Sequence, residues 1–159
     1  MTSFQLVGLP YAPFAGLFSL PASELTALDV RRVHATNKPG FPCRVSLVDA
    51  DVGEELLLLP FDHQPADSPY KSTGPIFVRK AASQASLDPG VIPDYVRSRL
   101  ISVRAYDDQH LMTDAAVCDG NDTASLIEEM FCRQEVAYIH LHNAKPGCFS
   151  CRVNRLLSG

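Results

Sequence analysis

Apolar and polar positions alternate over short runs through most of this chain, so the pattern predicts strands first and helices second. Strands are predicted over residues 4–7, 43–48, 54–59, 75–79, 100–106, 111–117, 136–142 and 149–153. The turn chemistry of Asp49-Ala50-Asp51-Val52-Gly53 joins 43–48 to 54–59 as a hairpin. Its second arm, with Leu56 to Leu59 in succession, reads as a central strand buried on both faces. A second hairpin turns at Asp107-Asp108-Gln109. Residues 62–74, rich in Pro, Asp and Ser, read as a surface loop, as do residues 81–90.

Helical spacing is clear in one place. Leu126, Ile127, Met130 and Phe131 form one apolar stripe behind Asp122, a candidate N-cap. Shorter helices open at Pro21 and Pro93, since proline suits a first helical turn. Hairpins dominate and no strand-helix-strand series appears. The expected class is α+β, a largely antiparallel sheet of hairpins with a few short helices packed on one face, and residues 1–159 read as a single domain.

Composition narrows the function classes. At 159 residues, 46% hydrophobic and 20% charged, the chain can bury a core without disulfides or metal. No run approaches a membrane span, and the N-terminus shows no basic, apolar leader, so a cytoplasmic location is expected. Five cysteines fit reduced thiols better than a disulfide framework. A net charge of -4 argues against nucleic acid as a partner. Oligomeric state is not legible. There is no phosphate-cradling Gly-rich loop, no Gly-x-Ser-x-Gly elbow and no His-Glu-x-x-His, which removes the usual support for nucleotide-driven, serine-hydrolase and zincin chemistry.

The most distinctive feature is a near-duplicate. Asn37-Lys38-Pro39-Gly40-Phe41-Pro42-Cys43-Arg44-Val45, with His34 just upstream, is almost rewritten as His142-Asn143-Ala144-Lys145-Pro146-Gly147-Cys148-Phe149-Ser150-Cys151-Arg152-Val153. Each copy is a Pro-Gly turn feeding an aromatic, a thiol and an arginine. The segments between do not repeat, so a pair of related turns is expected rather than a solenoid.

Period two puts Tyr138, His140 and His142 on one face of their strand and Ala137, Ile139 and Leu141 on the other, with successive imidazoles about 7 Å apart. Such a pair can ligate metal, act as a base with a tuning partner, or simply decorate a polar sheet face. His140, His142, Cys148 and Cys151 are the one metal-like set, though their spacing is not that of a zinc finger; no cofactor is expected, with zinc the exception if one binds. Cys43 or Cys148 could serve as a nucleophile beside a histidine, and Cys43 reads equally as a core thiol. Arg44, Arg79, Arg104 and Arg152 share the polar phase of several strands, with His63, Tyr70 and Lys71 in the long loop. On one face they would form a planar-donor pocket for carboxylate or phosphate; on separate faces they pair with acids such as Glu54, Asp62 and Asp107.

Lys38-Pro39-Gly40-Phe41-Pro42-Cys43-Arg44-Val45-Ser46-Leu47, Gly53-Glu54, Pro69-Tyr70, Ile76-Phe77-Val78-Arg79, His142-Asn143-Ala144 and Gly147-Cys148 together resemble an uncharacterised bacterial family, the domain-of-unknown-function family twelve-oh-three. The resemblance spans almost the whole chain and implies no activity or cofactor. Its pattern does not demand a thiol where Cys151 stands. The leading expectation is therefore a small-molecule binding domain for an anionic ligand, with Arg44, Arg79 and Arg152 as donors and Tyr70, His140 and His142 orienting it. A thiol- or metal-dependent enzyme and a structural or interaction module are the alternatives.

Overall fold

The alternating segments form ten strands in two five-stranded sheets, and four short α-helices complete an α+β fold in a computed structural model that describes residues 3–157. The first sheet runs β1 (Ser3–Val7), β10 (Phe149–Leu156), β9 (Tyr138–Asn143), β7 (Leu100–Tyr106) and β8 (Met112–Asp119), with every pairing antiparallel. The second runs β2 (Arg31–His34), β5 (Glu55–Gln64), β6 (Ser72–Arg79), β3 (Pro42–Cys43) and β4 (Val48–Asp49), antiparallel except where β3 meets β6. Among the described residues no helix is long and apolar enough to cross a membrane.

Each sheet has its own core and helical cover. Val103, Ala105, Ile139, Leu141 and Val153 of the first sheet pack under Ile127, Met130 and Phe131 of α4 (Thr123–Phe131) and under Tyr95 and Val96 of α3 (Asp94–Arg97). Ile127 is fully buried, which contributes about 1.5–3 kcal/mol for such a side chain. Leu57, Leu59, Ile76 and Val78 of the second sheet pack against Phe14 of α1 (Ala12–Ala15) and Leu25 of α2 (Ala22–Ala27).

Three local expectations are corrected. Residues 43–48 do not pair with 54–59: the Leu47 N–H donates to the Cys43 carbonyl at 3.0 Å to close a turn, and β5 pairs with β2 and β6 instead. Val45 lies in the second core and Leu47 in the first, so the alternation there records a chain crossing between two cores. The loop expected over 62–74 is shorter, because β5 continues to Gln64 and β6 starts at Ser72. Asp122 makes no capping bond; α4 is entered through a 3-10 turn at Gly120–Asp122, where the Asp119 carboxylate accepts the Asn121 N–H at 2.9 Å. Gly120 is required there, since a Cβ would stand 2.2 Å from the Val96 carbonyl oxygen.

The sheets are tied together by polar bonds between distant segments. Arg44, only 1% exposed, donates from Nε to the Phe149 carbonyl at 2.7 Å, from Nη1 to the Pro42 carbonyl at 2.6 Å and from Nη2 to Cys148 Sγ at 3.1 Å. Arg99 pairs with Asp49 at 2.5 Å, and Gln64 Nε2 donates to the Tyr138 hydroxyl at 2.9 Å. Replacing Arg44 by Met leaves two buried carbonyls without their donor, and urea denaturation is expected to show a loss of roughly 2–6 kcal/mol, about 1–3 for each. Arg44→Lys restores little of it, because one ammonium cannot span three acceptors.

Candidate functional site

On β9 the predicted phase holds: Ile139 and Leu141 enter the core, and Tyr138, His140 and His142 take the opposite face. Pairing sets them in rows. His140 lies between Arg104 and Arg152, His142 between Ser102 and Phe149, and Tyr138 between Tyr106 and Asn154. This face does not meet water as a polar sheet face would. The second sheet covers it, and His140 and His142 are 3% and 2% exposed.

The covering residue over the histidines is His63, which falls in the irregular stretch of the β5–β6 pairing between Phe61 and Gln64. Its ring stacks on Phe149 at 5.4 Å and meets His142 edge-on at 5.2 Å. Phe149 also meets His140 edge-on at 5.2 Å, so one aromatic ring fixes the orientation of all three imidazoles. One ring nitrogen from each of His63, His140 and His142 lies within 4.8 Å of the other two. His142 Nδ1 stands 3.0 Å from the Gly147 carbonyl, which can only accept, so Nδ1 carries the proton and Nε2 presents a lone pair. Gly147 holds this carbonyl in place from a left-handed conformation at φ 79°.

Burial is the main reason these imidazoles resist protonation. It takes His140 down to about 3, helped by His142, Arg152, His63 and Arg104. It takes His142 down to about 4 against the opposing bond to Gly147, with Arg104, His63 and Arg44 adding repulsion. His63 is lowered by burial and by Arg104, with Asp62 opposing. All three are neutral near pH 7.

In front of His63 and His142 opens a cleft of about 830 Å³. Both Pro-Gly turns reach it: Pro39 and Gly40 line one side, and Lys145, Pro146 and Gly147 another. The related turns differ in conformation, with Lys38–Pro39 cis and Asn37 Nδ2 donating to the Pro39 carbonyl at 2.8 Å in the first copy only. Arg44, Arg99, Arg104 and Lys145 supply four basic linings, and among the described residues no Asp or Glu lines the cleft. Arg99 is committed to Asp49 and Arg44 to its carbonyls. Arg104 makes one bond, from Nε to the Ser102 hydroxyl at 3.1 Å, and has no carboxylate partner among the described residues. Residues 40–155 match the family described as "Protein of unknown function (DUF1203)".

The chain belongs to the DUF1203 family. The match takes in both Pro-Gly turns' glycines, every histidine of the cluster and all of the cleft lining of this DUF1203 chain except Pro39. No curated protein and no solved structure shows significant similarity to it.

Of the six ligand residues expected from sequence, His142 and Arg44 line the cleft and His140 lies directly behind it. Three others do not reach it. Arg79 donates from Nε to Glu54 at 2.7 Å and from Nη1 toward Ser46. Arg152 lies over the Tyr138 ring at 4.1 Å and bonds Asn154. Tyr70 is exposed and edge-on to Tyr106. Arg104 and His63 line the cleft instead. The four-ligand set of His140, His142, Cys148 and Cys151 is likewise not assembled. Cys151 points into the first core, where burial pushes its thiol up to about 12, and Cys148 accepts the Arg44 bond.

Two measurements follow from this burial. The unfolded chain protonates its histidines below about pH 6.5 while folded His140 and His142 stay neutral until about 4 or lower, so stability is full above 6.5 and lost as pH falls. Urea midpoints should drop between pH 7 and 4.5, above the usual carboxylate range, at up to about 1.4 kcal/mol per pH unit for each histidine; His142→Gln should flatten the slope. Mass-resolved alkylation of native protein should label exposed Cys132 first and leave Cys43 and Cys151 untouched, whereas fast Cys43 or Cys151 labelling would contradict their burial.

Proposed function

We propose that the cleft binds a small organic anion, with the Arg104 guanidinium as its principal counter-charge. The supporting observation is local charge: four basic side chains and no acidic one line a cavity in a protein of net charge -4. Arg104 has free Nη donors in the planar geometry that suits carboxylate or phosphate, and Lys145 adds a second cation on the opposing turn. Leu58, Phe77, Phe149 and four prolines give the remaining wall an apolar character, which fits a ligand with a charged head and a carbon body. The reading of reduced thiols extends to the setting: five free cysteines, two of them in the cores, fit a reducing, cytoplasmic environment.

A thiol-dependent enzyme finds less support. Cys43 and Cys151 are core residues, and the sulfur of Cys148 accepts from Arg44 and Asn143, with no imidazole bonded to it as a base among the described residues.

Inorganic phosphate and succinate are suitable probes. At a probe concentration of about 100 times Kd, the folded state gains about 2.7 kcal/mol, and the melting temperature should rise by roughly 5–10 °C. Arg104→Met should abolish the rise, and Arg79→Gln, outside the cleft, should retain it. No shift with either probe at tens of millimolar, or a shift unaffected by Arg104→Met, would remove the proposal.

A further inference from the structure

His63, His140 and His142 contribute three buried nitrogens without any hydrogen-bond partner: His63 Nδ1, His140 Nδ1 and His142 Nε2. Unpaired buried polar atoms are rare singly, and three on neighbouring imidazoles call for an occupant that accepts lone pairs. We propose that these histidines form a three-imidazole site for a divalent transition metal ion, with its open coordination position facing the cleft.

The geometry is close to what such an ion needs. Nitrogens bound tetrahedrally at about 2.0–2.1 Å stand roughly 3.4 Å apart, so the present 4.8 Å limit leaves about 1.5 Å or less of approach for the widest pair. His140 and His142 come from one strand face and His63 from the other sheet, which surrounds the position from three directions. His142 carries the accessory bond typical of a metal-bound histidine, with Nδ1–H given to a backbone carbonyl and Nε2 left free. The Phe149 ring packs against all three imidazoles and limits their rotation. His63 and His142 line the cleft while His140 does not, so the unfilled side of the triangle is the cleft side.

The choice of ion follows from the donors. Three neutral imidazoles and no carboxylate suit zinc, copper, nickel or iron(II), and disfavour magnesium and calcium. Arg104 and Arg152 flank His140 across the sheet, and their charge opposes a bare dication. The same charge favours an ion whose open position holds an anion, either hydroxide or the carboxylate or phosphate proposed for the cleft. The histidine geometry carries the metal site by itself; only its role in holding that anion rests on the cleft reading.

The test uses full-length protein freed of any purification tag, stripped with chelator and titrated with zinc and with cobalt(II). One equivalent of each per chain is expected, with cobalt giving the visible absorption of a four-coordinate site. His63→Gln, at a half-buried position outside both cores, should weaken zinc by at least about tenfold; His142→Gln should do the same, and exposed His34→Gln should leave affinity unchanged. Circular dichroism checks that each variant folds, and His63→Gln keeps the test decisive if His142→Gln does not. Absence of zinc binding at micromolar concentration, or unchanged affinity in folded His63→Gln, overturns the site. Phosphate is then titrated into zinc-free protein, into zinc-loaded protein and into Arg104→Met. Zinc binding without phosphate binding keeps the metal site and removes the anion reading; phosphate binding without zinc does the reverse.

Discussion

A guanidinium buried without a carboxylate is the constraint around which this molecule is arranged. Arg44 is compensated by two carbonyls and a sulfur, drawn from β3, its own neighbour, and from the turn and strand start that hold Cys148 and Phe149. Such a charge is tolerable only if every acceptor stands in place, because partial satisfaction leaves a large desolvation cost. The chain complies at several points. Residues 44–47 turn rather than extend, the Leu9 N–H reaches the Arg44 carbonyl at 2.9 Å, and the Ala85 N–H reaches the Val45 carbonyl at 2.9 Å. Gly8 makes room, since a Cβ there would meet the Val45 oxygen at 2.1 Å.

Docking one sheet on the polar face of another explains the chemistry gathered between them. Ser102, Arg104, Tyr138, His140 and His142 occupy positions that face solvent in an ordinary one-sided antiparallel sheet. Here they are covered by Gln64 and His63. Histidine and tyrosine suit such a boundary because they can be buried neutral, with a polar atom for any partner that arrives. Arginine cannot shed its charge, so Arg104 sits where the cleft opens and Arg152 spreads its charge over the face of the buried Tyr138 ring.

Much of the framework was legible in residue pattern. Period two on 136–142 gave the correct faces, the second hairpin lies where Asp107-Asp108-Gln109 places it, and the stripe through Ile127 and Met130 is the buried side of α4. The first hairpin was not legible, because Val45 and Leu47 alternate as a strand would while serving two cores. β2 was invisible for the opposite reason: Arg31-Arg32-Val33-His34 is an exposed edge with no apolar phase. At the site, the two related turns do meet, but arginines in equivalent phase have unequal fates. Arg79 has Glu54 beside it on the neighbouring turn and Arg104 has no acid, a difference of spatial neighbours that linear order does not encode. His63 was visible as a loop residue, but its place opposite β9 depends on how the sheets dock.

That docking has a temporal side. Arg44 and Phe149 are 105 residues apart in the chain, and their contact belongs to the cleft wall itself. Contacts of such sequence separation carry a loop-closure entropy cost and slow the folding of chains that depend on them. During synthesis, β5 and β6 can pair long before β9 and β10 leave the ribosome, so the nascent chain holds half of the cavity wall with its cationic arm exposed. Only arrival of the final hairpin supplies the other wall and completes the cleft.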